Sequence, residues 1–383
     1  MGSGVLNDAQ RMQMATRWTA EEVARIADAP IPAIPVIKAN DVRRLIPGLD
    51  LWDSWPVQTR DGRTADVNGA TLWMMLSSRV LPDPALRHGE ARIRLIAQVG
   101  EDWIDCGNAL PDGLAPGTRE WAGSAILSDD GRTVTLYFTA TGRPGEPFSF
   151  EQRLFETTGT LNADGRAIEN WTTPTLIVVS DGHHYIDTHA HQGVPGLIKG
   201  FRDPGYIRDP ADGRDYLVFT GSDGINEHVY NGVVGLIARG ADGWALRPPI
   251  YSALALCNEL ERPHIIVRDG HYYLFWSTQR HVFDAVGPSG PNGLYGAVAA
   301  SLHGPYRPLN GTGLVAANPA SEPTQGYSWL VLDTLDVVSF VDYWGMGGRT
   351  LADAPELVRS NFGGTAAPVF RISLNGDQTR IIG

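Results

Sequence analysis

Cysteine is nearly missing from this chain: 383 residues carry two, Cys106 and Cys257. One disulfide is the most they can form, and no paired spacing of a zinc site exists. Two free, buried thiols are expected. Positive charge is also short, with 31 Lys plus Arg against 43 Asp plus Glu and a formal net charge of −12. Such a chain is not built to hold phosphate backbones, which argues against nucleic acid as a partner. A neutral ligand is compatible with it. No apolar run approaches the ~18 residues of a membrane span, so no membrane partner is expected. No charged segment followed by an apolar one opens the chain, so no signal peptide is visible. Long helical periodicity is absent, and so are linkers and low-complexity stretches.

Glycine (44), proline (26) and tryptophan (11) are abundant. The first two mean many turns, and many turns with few helical patterns predict an all-β chain. Residues 16–28 are the exception and read as a short helix capped by Thr19, with Trp18, Val23 and Ile26 along one apolar edge. From there the pattern is strands: Ala70–Ser78, Ala91–Val99, Thr133–Ala140, Thr175–Ser180, Tyr216–Thr220, Val233–Ala238, Tyr272–Ser277 and Tyr295–Ser301. Asp-Gly pairs punctuate them, and two precede aromatic-rich strands in the same way, at Asp212-Gly213 and Asp269-Gly270. The recurring hairpin resembles propeller blades, although its spacing is irregular. The reading is a tail over 1–15 and one β domain over 16–383.

Three stretches carry candidate chemistry. Leu51-Trp52-Asp53-Ser54-Trp55-Pro56 sets one carboxylate between two indoles. An indole covers the apolar face of a sugar ring, and a carboxylate takes hydroxyls or attacks carbon. An Asp beside Trp is more often a turn-former next to a core aromatic. Glu259-Leu260-Glu261-Arg262-Pro263-His264 puts two carboxylates two positions apart. On a strand they share a face, and like charge pushes one pKa up, as a general acid requires. A surface salt bridge is the plainer reading of an isolated Glu-Arg pair. Arg202-Asp203-Pro204 is a common turn start that equally offers a third carboxylate. His183, His184, His189 and His191 lack the helical spacing of a metal site and read as loop residues near a pocket.

Taken in order, these motifs resemble glycoside hydrolase family 68, the levansucrases, inulosucrases and related β-fructofuranosidases. Thr118-Arg119-Glu120-Trp121-Ala122-Gly123 and Gln325-Gly326-Tyr327-Ser328 resemble two further family motifs. The resemblance runs from the Arg17-Trp18-Thr19 helix to Ala366–Ile372. It implies a single five-bladed β-propeller with a central acidic pocket, acting on sucrose through a covalent fructosyl-enzyme that passes fructose to water or to sugar acceptors. It also implies Asp53 as nucleophile, Asp203 as transition-state stabiliser and Glu261 as general acid/base. Trp52, Trp121, Arg202, Glu259, Arg262, His264, Gln279 and Tyr327 would line the substrate site. Secretion is expected from the same resemblance.

Four departures bear on specificity. Gln279 stands where the family often has Arg or His, on the acceptor side. The Gly221–Val233 stretch is shorter than in polymerising relatives, which opens the rim. Asn258 stands where members from Gram-positive bacteria have an Asp calcium ligand, so no structural metal and no cofactor are expected. Trp329 replaces a usual His. Short fructooligosaccharides are therefore expected rather than long levan. The alternatives are a levansucrase making high-molecular-weight fructan, a propeller glycosidase acting on another furanoside, and a non-catalytic carbohydrate-binding propeller.

Overall fold

The computed structural model describes residues 15–382. The tail expected over 1–15 lies, but for its last residue, outside the described residues.

Strands that follow one another in the chain pair with one another, because tight turns return each strand beside its predecessor. At Asp269-Gly270 both residues have positive φ, 51° and 74°, which the twist of a two-residue hairpin requires. The result is a series of antiparallel meanders. Meander I contains Leu49–Gln58, Ala70–Arg79, Arg92–Val99 and Asp102–Asn108. Meander II contains Arg119–Leu127, Thr133–Thr141, Gln152–Leu161 and the short Ile168–Glu169. Meander III contains Phe201–Arg208, Asp215–Ser222, Gly232–Gly240 and Gly243–Ser252. Meander IV contains Glu261–Arg268, His271–Thr278 and Gly293–Ala299, with Arg307–Pro308 and Leu314–Ala317 at its edge. Meander V contains Gly326–Val331, Asp336–Tyr343, then Phe362–Ala366 and Phe370–Asn375 against the latter, and Gln378–Ile381.

The first strand of each meander packs against the first strand of the next, and meander V returns to the first strand of meander I. Middle strands are therefore covered on both faces, which is why they read as nearly unbroken apolar runs. Within Asp215–Ser222, Val218 packs toward Leu274 and Trp276 of meander IV, while Leu217 and Phe219 pack toward Ile126 and Tyr137 of meander II. The alternation follows the two-residue period of a strand. A larger core joins meanders I, II, IV and V through Leu72, Phe138, Phe275 and Trp329.

The N-terminal segment differs in part from its expected helix. Thr16–Arg17 is a strand, running parallel to Gly243–Ser252 with Thr16 opposite Tyr251. Thr19 does cap the helix: its hydroxyl accepts from the Glu22 amide, and the Glu22 side chain accepts from the Thr19 amide. The α-helix is only Ala20–Ala24 and continues as a 3-10 turn over Arg25–Asp28. Trp18 is fully buried and its indole N–H donates to Thr312 O at 2.9 Å. The strand expected at Thr175–Ser180 is also shorter, since only Thr175–Leu176 pairs and Val179 is exposed. The Ile177 amide still donates to Leu154 O at 2.9 Å and Ile177 is buried, but the regular pairing stops there. Cys106 and Cys257 are both free thiols.

Candidate active site

In all five meanders the pairing of the first strand with the second slips once. The slips fall between Trp52 and Ser54, Trp121 and Gly123, Arg202 and Gly205, Glu261 and His264, and Tyr327 and Leu330. An extra residue in one strand of a pair re-aims the side chains on either side of it. Four of the slips contain a non-glycine residue in left-handed backbone: Asp53 (φ 42°), Asp203 (60°), Arg262 (50°) and Ser328 (61°). Each such residue costs about 1–3 kcal/mol and is held only because its surroundings fix it. In meander II the slip instead uses Gly123, where a Cβ would lie 1.9 Å from Tyr137 O.

The slips bring the candidate residues to one cavity of about 510 Å³. Trp52, Asp53, Trp121, Arg202, Asp203, Glu259, Glu261, Arg262, Gln279 and Tyr327 all line it. Arg202, buried, is its electrostatic hub. Its Nη2 donates to Glu261 Oε1 at 2.6 Å and lies 3.3 Å from Glu259 Oε2, while its Nε lies 3.6 Å from Asp203 Oδ2. Asp203 Oδ2 accepts from Thr220 Oγ1 at 3.1 Å, and the Asp203 amide donates to Thr139 Oγ1 at 2.9 Å. Arg262 ties three first strands together, donating to Ser328 Oγ at 2.7 Å and to Ser54 O at 2.7 Å. The Tyr327 hydroxyl donates to Glu261 Oε2.

Burial raises the pKa of Asp53, opposed by Arg262 and the Ser328 hydroxyl. Burial pushes Asp203 up to about 6, against the pull of Arg202. For the two glutamates the structure corrects the sequence reading. Glu259 lies in the loop before the Glu261–Arg268 strand, so the two do not share a strand face. They meet nonetheless through Arg202. Burial works to raise Glu261, but Arg202 and the Tyr327 hydroxyl outweigh it and leave it below the usual range. Burial and the Glu261 charge push Glu259 the other way. The two glutamates titrate as a unit.

His264 does not line the cavity. Its ring lies behind it, with Nδ1 3.0 Å from Arg262 O and Nε2 accepting from the Val331 amide at 2.9 Å. Both ring nitrogens are thus used by backbone, and burial pushes its pKa down to about 4. Glu120, from the Trp121 motif, is likewise internal: it accepts from Arg92 Nε and the Ile93 amide, each at 2.7 Å, and ties meander II to meander I. Several lining residues carried no signal in the sequence, among them Arg87, His88, Phe148, Phe150 and His281. His88 sits between the two site indoles, 5.8 Å from Trp52 and 6.5 Å from Trp121. Trp329 is fully buried and packs edge-on to Tyr327 at 5.7 Å.

The oxygens around Asn258, where the resemblance raised the question of calcium, are engaged by the protein itself. Lys199 Nζ donates to Val229 O, to Asn231 Oδ1 at 2.6 Å and to Asn258 Oδ1 at 2.7 Å. The Asn258 amide then donates to Ile198 O at 3.0 Å and to Glu259 Oε1 at 3.2 Å. An ammonium already takes the oxygens, so these residues do not fit a divalent cation. Of the four loop histidines, His184 contacts Asp181 at 3.2 Å and His189 contacts Glu151 at 3.4 Å, and none lines the cavity. Among the described residues no group of three or more His, Cys, Asp or Glu has metal-holding geometry.

An all-β scaffold that gathers three carboxylates, a glutamate partner and two indoles around one cavity defines a carbohydrate-active enzyme. The family profile described as Levansucrase/Invertase matches residues 6–234 and 228–382, and the chain belongs to that family, glycoside hydrolase family 68. It is an enzyme of the fructosyltransferase kind. A levansucrase from Erwinia amylovora is 30% identical, over 96% of this chain and 94% of its own length. The structure of an inulosucrase from Halalkalicoccus jeotgali bound to kestose is 37% identical with a TM-score of 0.88, covering 96% of this chain and 95% of that one. The crystal structure of Bacillus subtilis levansucrase, 22% identical with a TM-score of 0.78 over 97% of this chain and 95% of that one, shares the fold.

Proposed function

We propose that this enzyme cleaves sucrose at the fructosyl bond with retention, through a covalent ester on Asp53, and passes the fructosyl group to water or to a sugar. The observation that carries the reading is the placement of Asp53, Asp203 and Glu261 on three slipped first strands around one cavity. We read the five meanders as blades of a five-bladed propeller over residues 16–383, with this cavity as its pocket.

In the first half-reaction an Asp53 oxygen attacks the anomeric carbon of the fructosyl unit while Glu261 delivers a proton to the bridging oxygen, and glucose departs. Asp203 stays ionised and favours the cationic transition state. The proton comes from the glutamate pair, Glu259 and Glu261, which Arg202 holds together and which titrates as a unit. In the second half the Glu261 carboxylate takes the proton of the attacking water or hydroxyl, and Asp53 leaves as a carboxylate. Arg202 and Tyr327 already hold Glu261 in the form that step needs.

Gln279, an amide beside the Tyr327 hydroxyl, and the short Gly221–Val233 loop support free fructose and short transfer products rather than a polymer. Relatives named levansucrases favour the competing reading, long fructan. Incubation with concentrated sucrose separates them. Glucose release tests the sucrose reading, and size-exclusion chromatography of the products tests their length. A dominant void-volume peak would overturn the short-product reading alone.

A further inference from the structure

The aromatic residues lining the cavity fall into two groups by depth. Trp52, Trp121 and Tyr327 are buried, at 2%, 8% and 8% exposure, beside the carboxylates. Phe148 lies at the mouth and is 68% exposed. An exposed loop phenylalanine alone would be unremarked surface. This one is held in place. The Arg119 guanidinium carbon lies 4.2 Å from the centre of its ring, and Phe150 meets it edge-on at 5.1 Å and 89°. Arg119 is itself buried and donates to Ser149 O, fixing the chain beside the ring. Phe150 in turn is anchored where its amide donates to Gln192 Oε1 at 2.7 Å, next to the Pro195–Ile198 wall of the cavity. Gly142 is part of the arrangement, since a Cβ there would come within 2.8 Å of Arg119 Nη2. The ring is thus clamped on one side and open on the other, at the entrance to a site whose deep end is polar.

We propose that Phe148 is a stacking platform for the acceptor sugar and sets how often the fructosyl group goes to a sugar rather than to water. A flat apolar ring matches the C–H face of a sugar and leaves its hydroxyls free. Leu86, 60% exposed on the same cavity, has no such face. A sugar resting on Phe148 presents a hydroxyl to the fructosyl ester on Asp53. That oxygen bonds to the anomeric carbon, its proton passes to the Glu261 carboxylate, and the Asp53 carboxylate is released. Water competes at roughly 55 M, so the acceptor's advantage is held orientation. A single platform holds one acceptor ring, which fits short products. The proposal rests on the reading of the cavity as a sucrose-cleaving site.

The test compares wild type, Phe148→Ala and Phe148→Trp on concentrated sucrose. Glucose measures cleavage, free fructose measures hydrolysis, and the difference measures transfer. In Phe148→Ala, glucose release should stay within about twofold while the ratio of transfer to hydrolysis falls roughly three- to tenfold, the worth of one aromatic contact. Phe148→Trp should keep the ratio. An unchanged ratio in Phe148→Ala, or cleavage falling in step with transfer, would overturn the platform and leave the sucrose reading standing. Wild-type protein that releases no glucose would overturn both.

Discussion

The first and second strands of every meander slip once, at the cavity, whereas second and third strands pair without a break in meanders I to IV. Thr133–Thr141 and Gln152–Leu161, for instance, match residue for residue over their common length. The two regions also differ in content. The regular pairs bury Leu136, Leu217 and Leu274, and the slipped strands bury Asp203, Arg202 and Arg262. One region supplies stability and the other gives part of it up, holding charge and left-handed backbone where apolar side chains and regular pairing would be more stable.

The largest effect should come from removing charge in the slipped strands. Asp53→Asn, Asp203→Asn and Glu261→Gln should each lower turnover by at least about 10³-fold with the fold intact. Glucose release and circular dichroism together check this. Wild-type turnover in any of the three would break the assignment of chemistry to this region. The converse change lies in the regular region. Leu136→Ala should cost about 2–5 kcal/mol of stability while turnover per folded molecule stays within about twofold. Denaturant melts and active-site-normalised rates would show it, and a large loss of turnover at full folding would blur the division.

Much of this was legible in the sequence. Asp-Gly turns and apolar runs marked the strands, and of the eleven site residues read from the sequence ten line the cavity. The slips were not legible, because Asp53, Asp203, Arg262 and Ser328 take backbone that glycine usually marks. His264 misled for the same reason: with a slip between Glu261 and His264, spacing along the strand no longer gives direction. Glu259 and Glu261 were rightly paired on a wrong premise, since Arg202 joins them rather than a common strand face. Phe148 stands in a loop and His88 in the 3-10 turn Pro84–Gly89, and neither carries a pattern.

A smaller effect is expected at the built-in cation. Lys199→Met leaves the Asn231 and Asn258 oxygens without their donor and should cost about 1–3 kcal/mol. Wild-type melting temperature should not move on chelation. A fall reversed by calcium would show that a metal, not Lys199, holds this edge.

The smallest effect has a sign that sharpens the comparison. Asp203 titrates at about 6 when folded and near the ordinary 3.8 when unfolded. Between those values the folded chain binds more protons, so stability falls as pH rises from about 4 to 6 and stays lower above. Asp203→Asn should therefore melt ~2–4 °C higher than wild type at pH 7 and gain nothing at pH 4. The same titration predicts loss of activity below about pH 6, as the stabilising charge is neutralised. A variant destabilised at pH 7 would mean that the ionised carboxylate strengthens the fold.

The central claim is that Asp53 carries the fructosyl group. Glu261→Gln, mixed with a fructosyl donor whose leaving group needs no protonation, forms the ester but lacks the base to discharge it. Rapid acid quench, proteolysis and mass spectrometry should find one added hexosyl unit on the peptide containing Asp53, absent when Asp53→Asn is added to the same chain. Donor consumed with no adduct, or an adduct on another residue, would contradict the account.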